Sequence, residues 1–273
     1  VNVMHERIKH GASLLENHVF QFDFLNDDFS KLPQGLQDII NDEEKRKKLV
    51  IYINPPYAEV SSKAEKGKLG VNQTKTHTKY SSILGTAGRE LFAQFLIRIY
   101  SEFNGVIIAE FSTLKILQGS AFLRLKEHFQ AKLENIFLAP ADTFDNVKGK
   151  FPIGFKIWNT NNKELFRSII ANIYDENANF IGTKGIYALN KNQYINKFIS
   201  LYKTTKENNI GFMDGINGND FQHNNIVYIL NAKEQLPNPR GIWINKDNLI
   251  PVSVYFAVRK VIPAIWLNDR DQF

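Results

Sequence analysis

The chain has no cysteine among its 273 residues. Disulfides and thiolate metal sites are therefore excluded, and a bacterial cytoplasm is the expected location. Its 6 histidines are scattered without paired spacing, so no metal site is expected. No apolar run approaches the roughly 20 residues that a membrane-spanning helix requires, and no secretory signal pattern is present. No internal repeat or long low-complexity linker marks a boundary. Ahead of residue 54 no apolar run is followed by a Gly-x-Gly turn. The later clusters Gly85-Thr86-Ala87-Gly88 and Asp214-Gly215-Ile216-Asn217-Gly218 do not follow a buried strand, and read as turns.

What is present suffices for a folded α/β unit. Hydrophobic residues make up 43% of the chain, and the length suits one domain with an extension. Short β-branched runs predict strands over 18–24, 49–53, 105–110, 133–138 and 152–158, and helices are expected over 3–16, 34–47, 87–103 and 113–130. This alternation predicts a doubly wound, mostly parallel sheet with helices on both faces. The last two strands are too close for a crossover and should form an antiparallel hairpin. After Trp158 the texture turns Asn-, Tyr- and Lys-rich. A boundary is placed there, giving a first domain over 1–160 and an α+β extension over 161–273, with helices near 162–174 and 192–203 and strands near 180–188, 226–230 and 240–245.

One tetrapeptide carries chemistry. Leu49-Val50-Ile51-Tyr52-Ile53 leads directly into Asn54-Pro55-Pro56-Tyr57. The prolines fix their own φ and push the preceding residue toward extended geometry, so the Asn54 side-chain oxygen and the Pro55 carbonyl become stiff acceptors. Two such acceptors can localise the lone pair of a planar amine by taking its two N–H groups. Tyr57 is placed to stack on the ring that bears the amine, a contact worth roughly 1–3 kcal/mol per base. The same letters also serve as a plain turn signal.

The charge balance is +6, from 34 basic and 28 acidic residues, compatible with nucleic acid without requiring it. Lys63, Lys66, Lys68, Lys75 and Lys79 follow the tetrapeptide in a polar, glycine-containing stretch. It reads either as a basic loop for phosphates beside a base pocket or as a solvated loop. Lys45-Arg46-Lys47-Lys48 is discounted, because cations ending a helix are favoured by its dipole.

The tetrapeptide after a buried strand resembles motif IV of S-adenosylmethionine-dependent amino-methyltransferases, especially the N6-adenine DNA methyltransferases of restriction-modification systems. Val19-Phe20-Gln21-Phe22-Asp23-Phe24-Leu25 is similar to the family's motif III, and the segments from Gly88 and Gly105 to motifs V and VI. The resemblance implies a Rossmann-like methyltransferase fold and S-adenosylmethionine as cofactor, with Asp23 and Phe24 near its adenine. It also implies Asn54 and Pro55 as amine-orienting groups within the motif Asn54-Pro55-Pro56-Tyr57, and an aromatic of motif VIII opposite Tyr57. Phe144 and Phe151 compete for that last role, and spacing does not separate them. The implied partner is double-stranded DNA, with a restriction or specificity subunit or fused domain. Because motif I is absent, the resemblance implies a fragment that binds the cofactor weakly or not at all. Two other readings use the same residues: transfer to protein glutamine or to the guanine amino group of RNA, and an inactive DNA-binding or assembly module.

Overall fold

The computed structural model describes residues 2–13, 15–55, 71–144, 147, 149–190, 193–216, 221–231 and 240–269. Three short helices come first: α1 (Asn2–Lys9), α2 (Gln34–Asn41) and α3 (Glu43–Arg46). The first is shorter than expected and is followed by Gly11 at φ +90°. The second and third divide the expected helix 34–47 at Asp42, whose carboxylate accepts from the Lys45 amide, as an N-cap does.

The short run Val-Ile-Tyr-Ile forms strand β1 (Val50–Ile53). It pairs in parallel with β2 (Ile107–Thr113), in the register Val50↔Ile107 to Ile53↔Glu110. The crossover between them carries α4 (Lys75–Leu84) and α5 (Leu91–Glu102). Phe92, Leu96, Ile97 and Ile99 of α5 are buried, each contributing roughly 1.5–3 kcal/mol of apolar transfer. The expected helix 113–130 is broken into α6 (Lys115–Gln118) and α7 (Leu123–His128). Gly119 lies at the break, where a Cβ would meet the Lys115 carbonyl oxygen at 2.6 Å.

Strands β3 (Ala131–Pro140) and β4 (Pro152–Lys163) form the expected antiparallel hairpin. Two further strands, β5 (Ser168–Tyr174) and β6 (Phe180–Tyr187), complete a six-stranded sheet in the order β1-β2-β4-β3-β5-β6. The pairings run β1, β2, β3 and β5 one way and β4 and β6 the other. β5 replaces the helix expected over 162–174: Ala171 and Ile173 are buried while the residues between and before them face outward, a period of two. The division expected at 160 falls inside β4, and the sheet continues through Tyr187.

Two further expectations fail. Residues 18–24 form no strand: 16–18 is a short 3-10 turn, 19–23 lacks regular structure and 24–26 is a turn. Helices do not cover both faces either. The buried residues of α4 to α7 join a core that takes in Ile108, Ile136, Leu138, Trp158, Ala171 and Ile186 from one face of the sheet. The other face carries the rings of Tyr52, Phe111, Phe155, Phe137, Tyr174 and Phe180, which belong to neither core.

Residues beyond Tyr187 build a second unit. Helix α8 (Ile195–Ser200), strands β7 (Gly211–Asp214), β8 (Tyr228–Leu230) and β9 (Ile242–Ile244), and helix α9 (Leu249–Val261) surround a separate core with Ile199, Met213, Phe221, Val227 and Tyr255. Its sheet runs β8-β7-β9, antiparallel throughout.

At the centre of the helix-covered face, Lys156 Nζ lies 3.1 Å from Glu110 Oε1, both side chains fully buried. Burial pushes the Lys156 ammonium below its ordinary pKa and the Glu110 carboxylate opposes the shift. The ammonium also donates to Ser112 Oγ at 2.9 Å, and the Trp158 indole donates to Glu110 at 3.2 Å. Removing one ion strands the other in a dry site, so Lys156→Met should cost about 3–5 kcal/mol. Glu110→Gln combined with Lys156→Met should recover most of that loss in urea unfolding. A double variant no more stable than Lys156→Met would show that the loss is not electrostatic.

Candidate functional site

β1 delivers Asn54 and Pro55 to the C-terminal edge of the parallel pair, level with the end of β2. Pro55 is buried and Asn54 exposed. The proline ring is thus packed while the side chain with the acceptor oxygen faces outward. Pro56 and Tyr57 lie outside the described residues, as do Lys63, Lys66 and Lys68.

A buried polar network anchors the chain where it returns. The Gln94 amide of α5 donates to the carbonyls of Val71 and Gly88 at 2.7 and 2.8 Å, and its oxygen accepts from the Thr74 hydroxyl at 2.6 Å. Thr74 Oγ1 in turn accepts from the His77 amide at 2.9 Å, capping α4. Lys75 and Lys79 are therefore helical residues, not members of an irregular loop. Lys79 lies 3.0 Å from Glu102, and that hydrogen bond raises its pKa.

Asp23 and Phe24 are brought to the same place by another route. Asp23 Oδ1 accepts from the amides of Leu25 and Asn26 at 3.1 and 3.2 Å, and Oδ2 accepts from the Asn26 side chain at 2.9 Å. This self-capping turn explains the absent strand, since such local bonds compete with sheet pairing. The turn docks on α4: the Thr76 amide donates to the Leu25 carbonyl at 3.1 Å and the Lys75 amide to Asn26 Oδ1 at 2.9 Å. Phe24 stacks on Phe95 at 5.1 Å, and Arg98 donates to the Phe24 and Asp27 carbonyls while lying 4.1 Å from the Phe29 ring. Nothing in the local sequence marks Gln94 or Arg98, which read as ordinary polar positions of an amphipathic helix.

A cavity of about 350 Å³ opens at the same edge of the sheet. Thr113 lines it from the end of β2, Lys115 from the start of α6, Glu90 and Phe92 from the start of α5, Phe151 from the entry to β4, and Tyr194 from the second unit. Glu90 and Lys115 form a close ion pair. The Tyr194 hydroxyl donates to the Gln118 carbonyl at 2.7 Å, and burial raises its pKa. Thr113 Oγ1 is buried without a hydrogen-bond partner among the described residues. The two candidate aromatics lie in different surroundings. Phe151 borders the cavity, whereas Phe144 lies edge-on to Phe111 at 5.2 Å. The cavity is assembled from segments far apart in sequence, and no motif foretells it.

Asp23 and Phe24, expected beside S-adenosylmethionine, do not line the cavity. Both carboxylate oxygens of Asp23 are engaged within their own turn, Phe24 is committed to Phe95 and Arg98, and Gly85–Arg89 forms a 3-10 turn rather than a loop at a strand end. Among the described residues no group of three histidines, aspartates or glutamates is placed to hold a metal ion, and no helix is long and apolar enough to cross a membrane.

No family model matches the chain, and no curated protein matches it. Among solved structures, the modification subunit of a putative type I restriction enzyme from Vibrio vulnificus YJ016 shares 15% identity at a TM-score of 0.31, over 72% of this chain and 37% of that one. The chain thus spans well under half the length of that structure, and a likeness at this level defines neither fold nor activity.

Two substitutions separate the structural anchors from the exchangeable surface. Gln94→Leu leaves the Val71 and Gly88 carbonyls unpaired and should cost about 1–3 kcal/mol, with faster amide exchange at His77 and Thr78. Lys79→Ala removes a surface ion pair and should change stability by less than about 1 kcal/mol. Equal losses in urea unfolding would refute this division.

Proposed function

We propose that the chain carries the amine-orienting part of a site-specific N6-adenine DNA methyltransferase of a restriction-modification system. The observation that carries this reading is the placement of Asn54 and Pro55 at the C-terminal end of a parallel strand, the position where open α/β sheets bind their ligands. Asn54 Oδ1 and the Pro55 carbonyl accept the two N–H groups of the adenine amine. Tyr57 and one of the two aromatics, Phe144 or Phe151, enclose the base that has been turned out of the duplex; Phe151 borders the cavity, whereas Phe144 packs on Phe111, the β2 residue that follows Glu110, the partner of Ile53. The cavity of about 350 Å³ lies at the same end of the sheet but is not lined by Asn54 or Pro55. S-adenosylmethionine supplies the methyl group in the family the sequence resembles. Asp23 and Phe24 do not line the cavity, so the roles assigned to this chain are confined to the acceptor base.

The test is expression of the gene encoding the chain in a methylation-deficient bacterial host, followed by mapping of modified bases in genomic DNA. N6-methyladenine at one defined sequence is expected. Asn54→Ala should lower the rate about 10²–10³-fold, the loss typical of removing one preorganised transition-state contact. Unmodified DNA from a well-expressed, folded protein overturns the proposal in favour of transfer to protein glutamine or RNA guanine, or of an inactive DNA-binding module.

A further inference from the structure

The cavity beside Thr113 is not accounted for by the amine-orienting residues, since neither Asn54 nor Pro55 lines it. At about 350 Å³ it falls within the roughly 300–1,000 Å³ of small-molecule sites. Its wall has an apolar and a polar part. Phe92 and Phe122, stacked with ring centroids 5.4 Å apart, line it together with Phe151 and Tyr194, so a flat apolar body can be held there. Gln118 also lines it and is only 6% exposed. Its backbone carbonyl accepts from Tyr194, but among the described residues its side-chain amide makes no hydrogen bond. Buried amides are nearly always paired. A donor and an acceptor left open on a cavity wall suit a ligand whose edge presents the complementary groups.

The charges point to the other end of that ligand. Within the wall Arg89 and Lys115 are matched by Glu90 and Asp269, and Glu90 pairs closely with Lys115. The excess lies at the rim. The turn Gly85–Arg89 carries Arg89, and Arg124 passes beside Gly85, where a Cβ would meet its Cδ at 3.2 Å. The turn Ser120–Phe122 borders the same opening: the Thr86 hydroxyl donates to the Ala121 carbonyl at 3.3 Å, and both residues line the cavity. Arg89 and Arg124 are exposed, and among the described residues neither makes a hydrogen bond or an ion pair, Glu127 of α7 included. Guanidinium groups match phosphate oxygens in geometry and charge. A wall of balanced charge under a cationic rim suits an uncharged planar body with one anionic end.

We propose that this cavity binds a single nucleotide, at a site separate from Asn54. The base lies against the aromatic residues with its edge on the Gln118 amide, and the phosphate sits at the rim between Arg89 and Arg124. A glutamine amide matches the N6 amino group and N7 of adenine, so an adenine nucleotide is the expected occupant. Stacking on aromatic rings adds affinity for its base. A free mononucleotide and an unstacked residue of a nucleic-acid strand present this same chemistry. S-adenosylmethionine does not, because it has no phosphate for the rim. Tyr194 brings the second unit to the wall, so the occupant touches both units.

The test is calorimetric titration of the purified chain with deoxyadenosine monophosphate, deoxyadenosine, inorganic phosphate and S-adenosylmethionine. The mononucleotide is expected to bind, with the nucleoside and inorganic phosphate each weaker by at least about tenfold. Arg89→Ala combined with Arg124→Ala should abolish the preference for the nucleotide over the nucleoside, and Gln118→Leu should weaken both ligands. Gln118→Leu removes an amide with no hydrogen bond to lose, so its stability in urea should not fall. Asn54→Ala should leave binding unchanged. A single-stranded oligodeoxyadenylate separates the two sources. Competition with the mononucleotide, sensitive to the same substitutions, assigns the site to an unstacked residue of a strand; mononucleotide binding that the strand does not displace assigns it to the free nucleotide. No mononucleotide binding at about 1 mM overturns the proposal. So does inorganic phosphate or S-adenosylmethionine binding as tightly as the mononucleotide, an affinity indifferent to Arg89, Arg124 and Gln118, or one lost with Asn54→Ala. The readout is binding to the cavity, so it stands or falls independently of whether DNA becomes methylated.

Discussion

The parallel pairing of β1 with β2 is the constraint from which the arrangement follows. Parallel neighbours cannot be joined by a tight turn, so the chain must leave the end of β1, cross one face and re-enter beside it. That path fixes three things at once. Asn54 and Pro55 fall at the C-terminal edge, α5 becomes the buried layer, and the chain returns over Gln94, whose amide gathers Val71, Thr74 and Gly88. The Glu110–Lys156 pair sits across β2 and β4 just beside this junction. Its charges stabilise little in themselves, but each is so deeply buried that neither strand can slip without stranding one of them.

The part of the sheet from β1 to β4 was legible because its strands are short β-branched runs bounded by turn signals, and because a proline pair after such a run leaves few conformations open. The first expected strand fails for a local reason. Phe20-Gln21-Phe22-Asp23-Phe24 alternates like a strand, yet the Asp23 carboxylate caps its own turn. Phe22, Phe24 and Phe29 then close on one another and on Phe95 and Phe103. The segment 162–174 misleads in the opposite sense, since Leu165, Ile169 and Ile173 recur at helical spacing. Pairing with β3 and β6 overrides that local preference, as tertiary context does for short segments. The bare face could not be read at all: an outward Phe and a core Phe look alike until the helices have been assigned to a side.

The same distinction applies to the site. Asn54 and Pro55 are contiguous, so the proposed pair of acceptors can be read directly in the sequence. The cavity is not contiguous. Glu90, Thr113, Phe151 and Tyr194 converge only because α5, β2, β4 and the second unit meet at one edge, and no spacing rule relates them. Phe144 and Phe151, indistinguishable by spacing, are separated by the pleat and the loop path, which send one to the aromatic face and the other to the cavity.

The second unit is coupled to this cavity by few but well-placed bonds. Tyr194 donates to the Gln118 carbonyl at 2.7 Å, tying the lead into α8 to the end of α6. Gln222 donates to the Lys150 carbonyl at 2.9 Å, immediately before Phe151. The Phe151 carbonyl accepts from the Ala141 amide at 2.8 Å, which clamps the other side of the same residue. Phe151 is therefore held from two directions, once by the sheet that carries Asn54 and once by the unit that follows it. Gln222 and Tyr194 thus tie the second unit to the cavity wall, while Asn54 and Pro55, which do not line the cavity, follow directly on the strand paired with β2.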